Sequence, residues 1–380
     1  MDDIDTPLLM AGGRLEIDLG ALADNFRSIA ARVAPARAAA VVKANGYGLG
    51  ATRAAAALAE AGCRDFFVAH LAEALAVRAA LPGDATLAVL NGLPSGAERP
   101  CADAGIVPVL NSVEQAMRWR DTAAALGHAL PAIVQVDSGM SRLGMTVEEA
   151  AMLAADASFT ARVPVTLVMS HLACADTPDH PANAAQRDRF IAAAALFPQA
   201  RRSLANSGGV FLPAAYHFDL VRPGVALYGG APNDRGANPM RPVIRLDARV
   251  IQCRSIGAGD GVGYGLSFAA TGETRIATIG VGYADGLPRT LGNRGAAWFN
   301  GVRLPIAGRV SMDSITLDIS ALPDGALAAG DWVELIGPHQ ALDDLARDAG
   351  TISYEILTSL GHRYHRTYRN GDLKGQAEGA

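Results

Sequence analysis

The chain is short of charge: Asp, Glu, Lys and Arg make up 19% of its 380 residues, against about 25% in ordinary soluble domains. Half of the residues are hydrophobic, which excludes a disordered chain and provides for a large core. It has no Lys/Arg block, and 33 basic against 38 acidic groups leave a net charge of −5. That balance argues against nucleic acid or an anionic membrane as the main partner. No run approaches the roughly 18–20 uninterrupted apolar residues of a membrane span. The start, MDDIDTPLLMAGG, is acidic where a secretory signal would be basic. Cys63, Cys101, Cys174 and Cys253 are scattered, with neither a C-x-x-C pair nor a His spacing that builds a zinc site. No metal and no disulfide is expected. The expectation is a soluble, cytoplasmic protein of two domains that acts on small molecules, at roughly 100–200 residues per domain.

What the chain does contain is a repeated unit. Short apolar runs that end on a polar residue occupy 40–43, 66–70, 87–91, 107–112, 133–137, 167–171, 203–207 and 225–228. Ala-rich helical stretches lie between them, at 52–60, 73–81, 114–126, 147–155 and 186–197, with another at 21–33. Apolar runs alternating with helices read as βαβ units around a parallel sheet. Eight such units fit a closed (β/α)8 barrel of the TIM type better than an open sheet. An open doubly wound sheet would carry G-x-G-x-x-G after its first strand, where this chain has VVKANGYGLG. A barrel collects its chemistry at the carboxyl ends of its strands, the positions of Lys43, His70, Asn91, Asp137, His171, Asn206 and Tyr228.

The texture changes at the turn-rich GAPNDRGANP (230–239), and beyond it the pattern is that of a mostly-β domain. Strands are expected at 244–251, 275–282 and 332–336, short helices at 342–348 and 354–360, and a hairpin at AAWFN/GVRLPI through the type I′ signal Asn300-Gly301. The terminal HRYHRTYR reads as a last strand and DLKGQAEGA as a frayed tail. The domains expected are 1–18, an N-terminal segment pairing with the β domain, then the barrel at 19–236 and the β domain at 237–380.

Lys43 interrupts an apolar strand end, where an ammonium is costly unless paired or neutralised. On its own it could be a lysine snorkelling from a strand terminus. Its neighbours give it more: Tyr47 lies four residues on, and Gly46, Gly48 and Gly50 let a ligand approach the backbone. A lysine of depressed pKa is the residue type that forms Schiff bases. Strand seven ends in Asn206-Ser207-Gly208-Gly209, and Arg222-Pro223-Gly224-Val225 enters strand eight. Each alone could be an ordinary cap or turn. In this barrel type, however, the loops after strands seven and eight often hold a phosphate. With Lys43 they describe a site for a phosphate-bearing aldehyde, pyridoxal 5'-phosphate (PLP).

The motifs VVKANGYGLG (41–50), VDSGMSRLG (136–144), SHLACAD (170–176), ANSGG (205–209), VRPGVALYG (221–229), GVGYG (261–265), GYADGLPR (282–289), GRVSMD (308–313) and SYEI (353–356) run through almost the whole chain. In that order they resemble the alanine racemases, PLP enzymes that join a (β/α)8 barrel to a C-terminal β domain. The resemblance implies that Lys43 holds PLP covalently and that Tyr47, Ser207, Gly224, Val225 and Tyr354 secure its phosphate, with Asn206 beside them. It places His171 near the pyridine ring and Arg222 at the ring nitrogen. Tyr264, reaching into the partner subunit's site of a homodimer, would be the second acid/base. Arg142 and the N–H of Met312 would serve the substrate carboxylate, Tyr283 would narrow the entrance and Asp313 would support the substrate side. Interconversion of L- and D-alanine, supplying D-alanine for peptidoglycan, is the activity implied.

Two departures from the family pattern stand out. Gln135 takes the place of a lysine that many members carry carbamylated, so it lacks the charge that orients the equivalent of Arg142. Either Gln135 bonds Arg142 directly or an anion such as chloride sits near the two, and the second is expected. Leu287 replaces a common aromatic residue at the entrance. Both leave open a broader serine/alanine racemase. A non-catalytic PLP-binding barrel would need neither the β domain nor Tyr264.

Overall fold

The computed structural model describes residues 6–370, so the expected tail at 372–380 lies outside the described residues. They form two compact units: Leu22–Leu227 with Ala231–Pro239, and the residues up to Ala21 with Tyr228–Gly230 and those from Met240 on.

The first strand, β1 (Gly13–Asp18), belongs to the second of these units. The other begins its sheet with β2 (Arg37–Ala38) and β3 (Ala40–Val41), followed by β4 (Asp65–Val68), β5 (Thr86–Val89), β6 (Val107–Leu110), β7 (Ala132–Gln135), β8 (Val165–Met169) and β9 (Arg201–Ser203). From β3 to β9 these are seven parallel strands side by side in chain order. Strands β4, β6 and β7 are buried at every position, as expected where both faces are covered. Helix Ala51–Glu60 shows the matching pattern, burying Ala51, Ala54, Ala55, Leu58 and Ala59 on one stripe.

The eighth strand is not where the apolar run placed it. Val225–Tyr228 is a 3₁₀ turn, and the strand is β10 (Leu220–Val221), paired in parallel with β2. Ala39 N–H donates to Val221 O at 2.9 Å and Val41 N–H to Pro223 O at 3.1 Å, while Arg222 N–H donates to Ala205 O at 2.8 Å. The ring of strands therefore closes through β10. Pro223 cannot donate to a ladder, and a short apolar run buried all round does not distinguish strand from helix by its period. One consequence is that Arg222, Pro223 and Gly224 follow the eighth strand instead of entering it. A second is that Tyr228 ends a buried turn, not a strand.

In the other unit, β11 (Ile244–Ile256) is the spine. It pairs with β1, and along its length with β14 (Thr274–Ile279) and β18 (Trp332–Ile336). The small pair β12 (Gly261–Val262) and β13 (Phe268–Ala269) precedes β14. β15 (Ala296–Phe299) and β16 (Val302–Pro305) form a hairpin, with Asn300 at φ 49° and Gly301 at φ 80° in its turn, the left-handed pair that type I′ requires. β17 (Ile315–Asp318) lies beside β14, and β19 (His365–Arg369) runs parallel to β1. Helices Leu342–Ala349 and Ser353–Ser359 complete the unit.

Candidate active site

Lys43 stands two residues beyond β3, at the start of a left-handed turn: Ala44, Asn45, Gly46 and Tyr47 have φ of 52°, 53°, 62° and 55°. Asn45 holds the turn onto the next helix, its Oδ1 accepting from Ala51 N–H at 2.9 Å. Burial pulls the Lys43 ammonium below its usual range, Arg142 pulls it the same way, and the Glu73 carboxylate opposes them. The amine is thereby biased towards the neutral, proton-accepting form.

Arg222 follows β10 and is almost completely buried, with burial drawing its guanidinium down to about 9, still a cation at neutral pH. It donates through Nη1 to Ser203 Oγ and through Nη2 to Ser170 O at 2.5 Å. The Ser170 hydroxyl meets Ser138 Oγ at 2.7 Å, and Gln186 Nε2 donates to His171 O at 2.9 Å. Burial first, then Arg222, Arg142 and Lys43, push the His171 imidazole down to about 3. His171 is thus neutral at physiological pH, with the Arg222 and Arg142 guanidiniums and the Lys43 amine in its surroundings.

Beside this network, Ser207 Oγ accepts from Gly224 N–H at 2.9 Å and from Ala226 N–H at 3.3 Å, which sews the ends of β9 and β10 together. Asn206 Oδ1 takes Gly209 N–H at 3.0 Å, and its Nδ2 lies 3.5 Å from His171 Nε2. Tyr47 is buried, and a β-carbon at Gly224 would lie 2.0 Å from its hydroxyl oxygen. Ser207 and Val225, next to Gly208 and Gly224, are themselves buried. Buried N–H groups beside a hydroxyl, a tyrosine and bare glycine backbone suit a phosphate, and a half-buried amine nearby suits an aldehyde. The donor set therefore fits PLP.

Arg142 is exposed, on the loop after β7. Gln135 does not bond it: its Nε2 donates to Leu143 O at 3.1 Å and pins the loop one residue further on. Asp137, at the same strand end, is occupied by its own loop, with Oδ1 accepting from Gly139 and Met140 N–H at 2.8 and 3.0 Å. Burial works against its charge, but those bonds and one from Ser141 hold its carboxyl below the usual range.

The other expected residues lie in the C-terminal unit. Tyr264 is at the tip of the β12–β13 pair, 68% exposed, between Gly263 and Gly265 at φ 71° and 69°. Tyr283, Met312 and Tyr354 are also exposed, though less so than Tyr264. Tyr283 N–H donates to Ser311 O at 3.0 Å and Ala284 N–H to Met312 O at 3.0 Å, so GYADG and GRVSMD are laced together. Asp313 pairs with Arg363 at 2.7 Å, which also grips buried Asp285. Leu287 is fully buried beneath a cleft that Tyr283 and Glu355 line.

Sequence reasoning missed Glu73, Ser203, Ser170 and Gln186. Only Glu73 carried a signal: it is the third residue of helix Leu71–Arg78, the position from which a carboxylate reaches back to cap a helix.

Comparison with known proteins follows the same division. The family profile of the alanine racemase N-terminal domain matches residues 17–232, and that of the C-terminal domain matches 243–368. A catabolic alanine racemase of Agrobacterium fabrum is 58% identical over 94% of this chain and 92% of its own length. An alanine racemase of Brucella canis is 54% identical over 95% of this chain and 94% of its own. Among solved structures, the alanine racemase of Bartonella henselae with covalently bound pyridoxal phosphate is similar at a TM-score of 0.91 and 46% identity, covering 94% of this chain and 100% of that one.

Proposed function

The chain belongs to the alanine racemase family, isomerases that act on amino acids, and from that premise we propose that it racemises alanine with two bases, Lys43 on one face of the substrate and Tyr264 of the partner subunit on the other. The observation that carries this reading is the Lys43 amine, biased towards neutrality by burial and Arg142, beside a phosphate cradle and the buried cation Arg222.

When bound, PLP supplies a conjugated ring that takes up the electron pair left when the α-proton departs. Lys43 would hold it covalently. Ser207, Gly224, Val225 and Tyr47 would bind the phosphate, with Asn206 and His171 alongside. Arg222 would donate to the ring nitrogen and, being a cation already, leave it unprotonated, which limits side reactions such as transamination. Lys43 would hold the cofactor only until the substrate's amine takes its place; its Nζ, then a free amine, would take a proton from one face while the Tyr264 hydroxyl would give one to the other, with the roles reversed in the opposite direction. Every proton removed is replaced, so the product is the mirror image with no net change in atoms. Arg142 would bind the substrate carboxylate, and a chloride beside Arg142 and Gln135 would supply the negative charge that a neutral amide lacks. The assignments of Tyr354 to the phosphate, of Met312 and Asp313 to the substrate side and of Tyr283 to the entrance rest on motif correspondence.

Exposed Tyr264, Leu266, Tyr283, Met312, Ile352 and Tyr354 on the C-terminal unit support a homodimer, since apolar side chains concentrated on one unit's surface favour a protein interface. The test is chiral chromatography of alanine incubated with the full chain and PLP. D-alanine should form from L-alanine, be lost in Lys43→Ala and fall steeply in Tyr264→Phe. Supply of D-alanine to peptidoglycan is part of the proposal, and the gene should relieve the D-alanine requirement of a racemase-deficient bacterium.

A further inference from the structure

The carboxylate of Glu73 joins two strand ends. Its Oε2 accepts from Ala69 N–H at 2.7 Å and His70 N–H at 3.1 Å, at the end of β4, while its Oε1 accepts from Ala44 N–H at 2.7 Å, in the turn after β3. The Oε2 bonds are those of an ordinary helix cap. The Oε1 bond serves no helix: it reaches back 29 residues to the N–H of the residue that follows Lys43.

That turn needs holding. Ala44, Asn45 and Tyr47 take positive φ, a left-handed conformation that is strained for non-glycine residues, and such conformations persist only where the surroundings over-determine them. A charged acceptor on Ala44 N–H, at a distance typical of strong bonds, fixes the turn at its first residue and so fixes the backbone from which Lys43 projects. The same carboxylate also brings a negative charge to the lysine. The groups that face Lys43 electrostatically are Arg142 after β7, His171 after β8 and Glu73 after β4. Arg142 is a cation and His171 is neutral, so Glu73 is the anion of that set.

Resting on the assignment of Lys43 above, we propose that Glu73 is a positioning residue of the racemase reaction, locking the strained turn that aims Lys43 and balancing the charge around its amine. Glu73 takes no proton from substrate; it acts through the Ala44 N–H and through the field at Nζ.

The experiment compares the full-length protein with Glu73→Gln, Glu73→Asp and Glu73→Ala in two readouts. The first is the pH dependence of Lys43 acetylation by acetic anhydride in the cofactor-free full chain, followed by peptide mass spectrometry. Glu73→Gln keeps an oxygen for Ala44 but removes the charge, so the midpoint should move to lower pH by about half a unit or more. The second is steady-state kinetics with PLP. Glu73→Ala should lower kcat by about 10- to 100-fold with a much smaller change in KM for alanine, and Glu73→Asp should recover part of the loss. An unmoved acetylation midpoint in Glu73→Gln together with a kcat within about twofold in Glu73→Ala would reduce Glu73 to a helix cap and overturn the proposal. If Glu73→Ala does not fold, the Glu73→Gln midpoint decides alone. Lys43→Ala, run in parallel, separates the two ideas: full activity there would remove the assignment of Lys43, whatever the Glu73 variants do.

Discussion

The Tyr47 hydroxyl fills the space that a side chain at position 224 would need, because a β-carbon on Gly224 would lie 2.0 Å from it. The glycine is required by this close approach and not by its dihedral angles. In Gly224→Ala the methyl group must displace Tyr47, at a cost of about 1–3 kcal/mol. If that cost falls on the phosphate cradle, PLP binding weakens about fivefold to 150-fold. Equilibrium dialysis of PLP measures it, and unaltered affinity would show that the contact has no part in the cradle.

Arg222 is a buried cation whose two terminal nitrogens donate to uncharged oxygens of Ser203 and Ser170. In Arg222→Glu a carboxylate replaces the donor fork and can accept or share a proton at the ring nitrogen. Racemisation should slow by at least about tenfold, and pyruvate formed per D-alanine should rise. Both quantities come from one incubation with product analysis. If neither changes, Arg222 does not govern the cofactor's protonation.

His171 yields a prediction about stability. Its imidazole is depressed to about 3 in the folded chain against an ordinary 6.5. Between those values the unfolded chain binds the extra proton, so this contribution is complete above pH 6.5 and is lost as pH falls towards 3. In the cofactor-free protein, denaturant unfolding across that range should show His171→Leu with a pH slope shallower than the original by up to about one proton. Identical slopes would mean that His171 titrates normally.

Arg142 forms no ion pair among the described residues, and Gln135 gives its amide to Leu143 instead. If chloride supplies the missing charge, replacing it with a large anion at constant ionic strength should raise KM for alanine several-fold. Gln135→Glu should make the enzyme insensitive to chloride, as a fixed carboxylate takes over. A KM indifferent to chloride in the unaltered protein would contradict the assignment.

The barrel was legible because burial on both faces writes each strand as a continuous apolar run, as in Phe66, Phe67 and Val68. The eighth strand was not, since Leu220 and Val221 form a two-residue strand while the longer run after Gly224 folds as a turn. Lys43 was visible as a charge breaking such a run, and the structure brings Arg142, His171 and Glu73 into its electrostatic surroundings. The residues that hold these groups were not visible. Ser203 and Ser170 are common small polar residues whose role depends on a guanidinium 19 and 52 positions away. Glu73 read as the start of a helix because its bond to Ala44 spans 29 residues, from the helix after β4 back to the turn after β3. Periodicity records burial, whereas long-range hydrogen bonds to the backbone leave no period behind.

Two bases acting on opposite faces leave a signature in proton NMR of L-alanine incubated in heavy water with the full chain and PLP. The α-proton signal should disappear as deuterated D-alanine forms, with Tyr264→Phe retaining more exchange than inversion and Lys43→Ala losing both. Exchange that never inverts the centre in the unaltered protein, or inversion at full rate in Lys43→Ala, would contradict the two-base assignment.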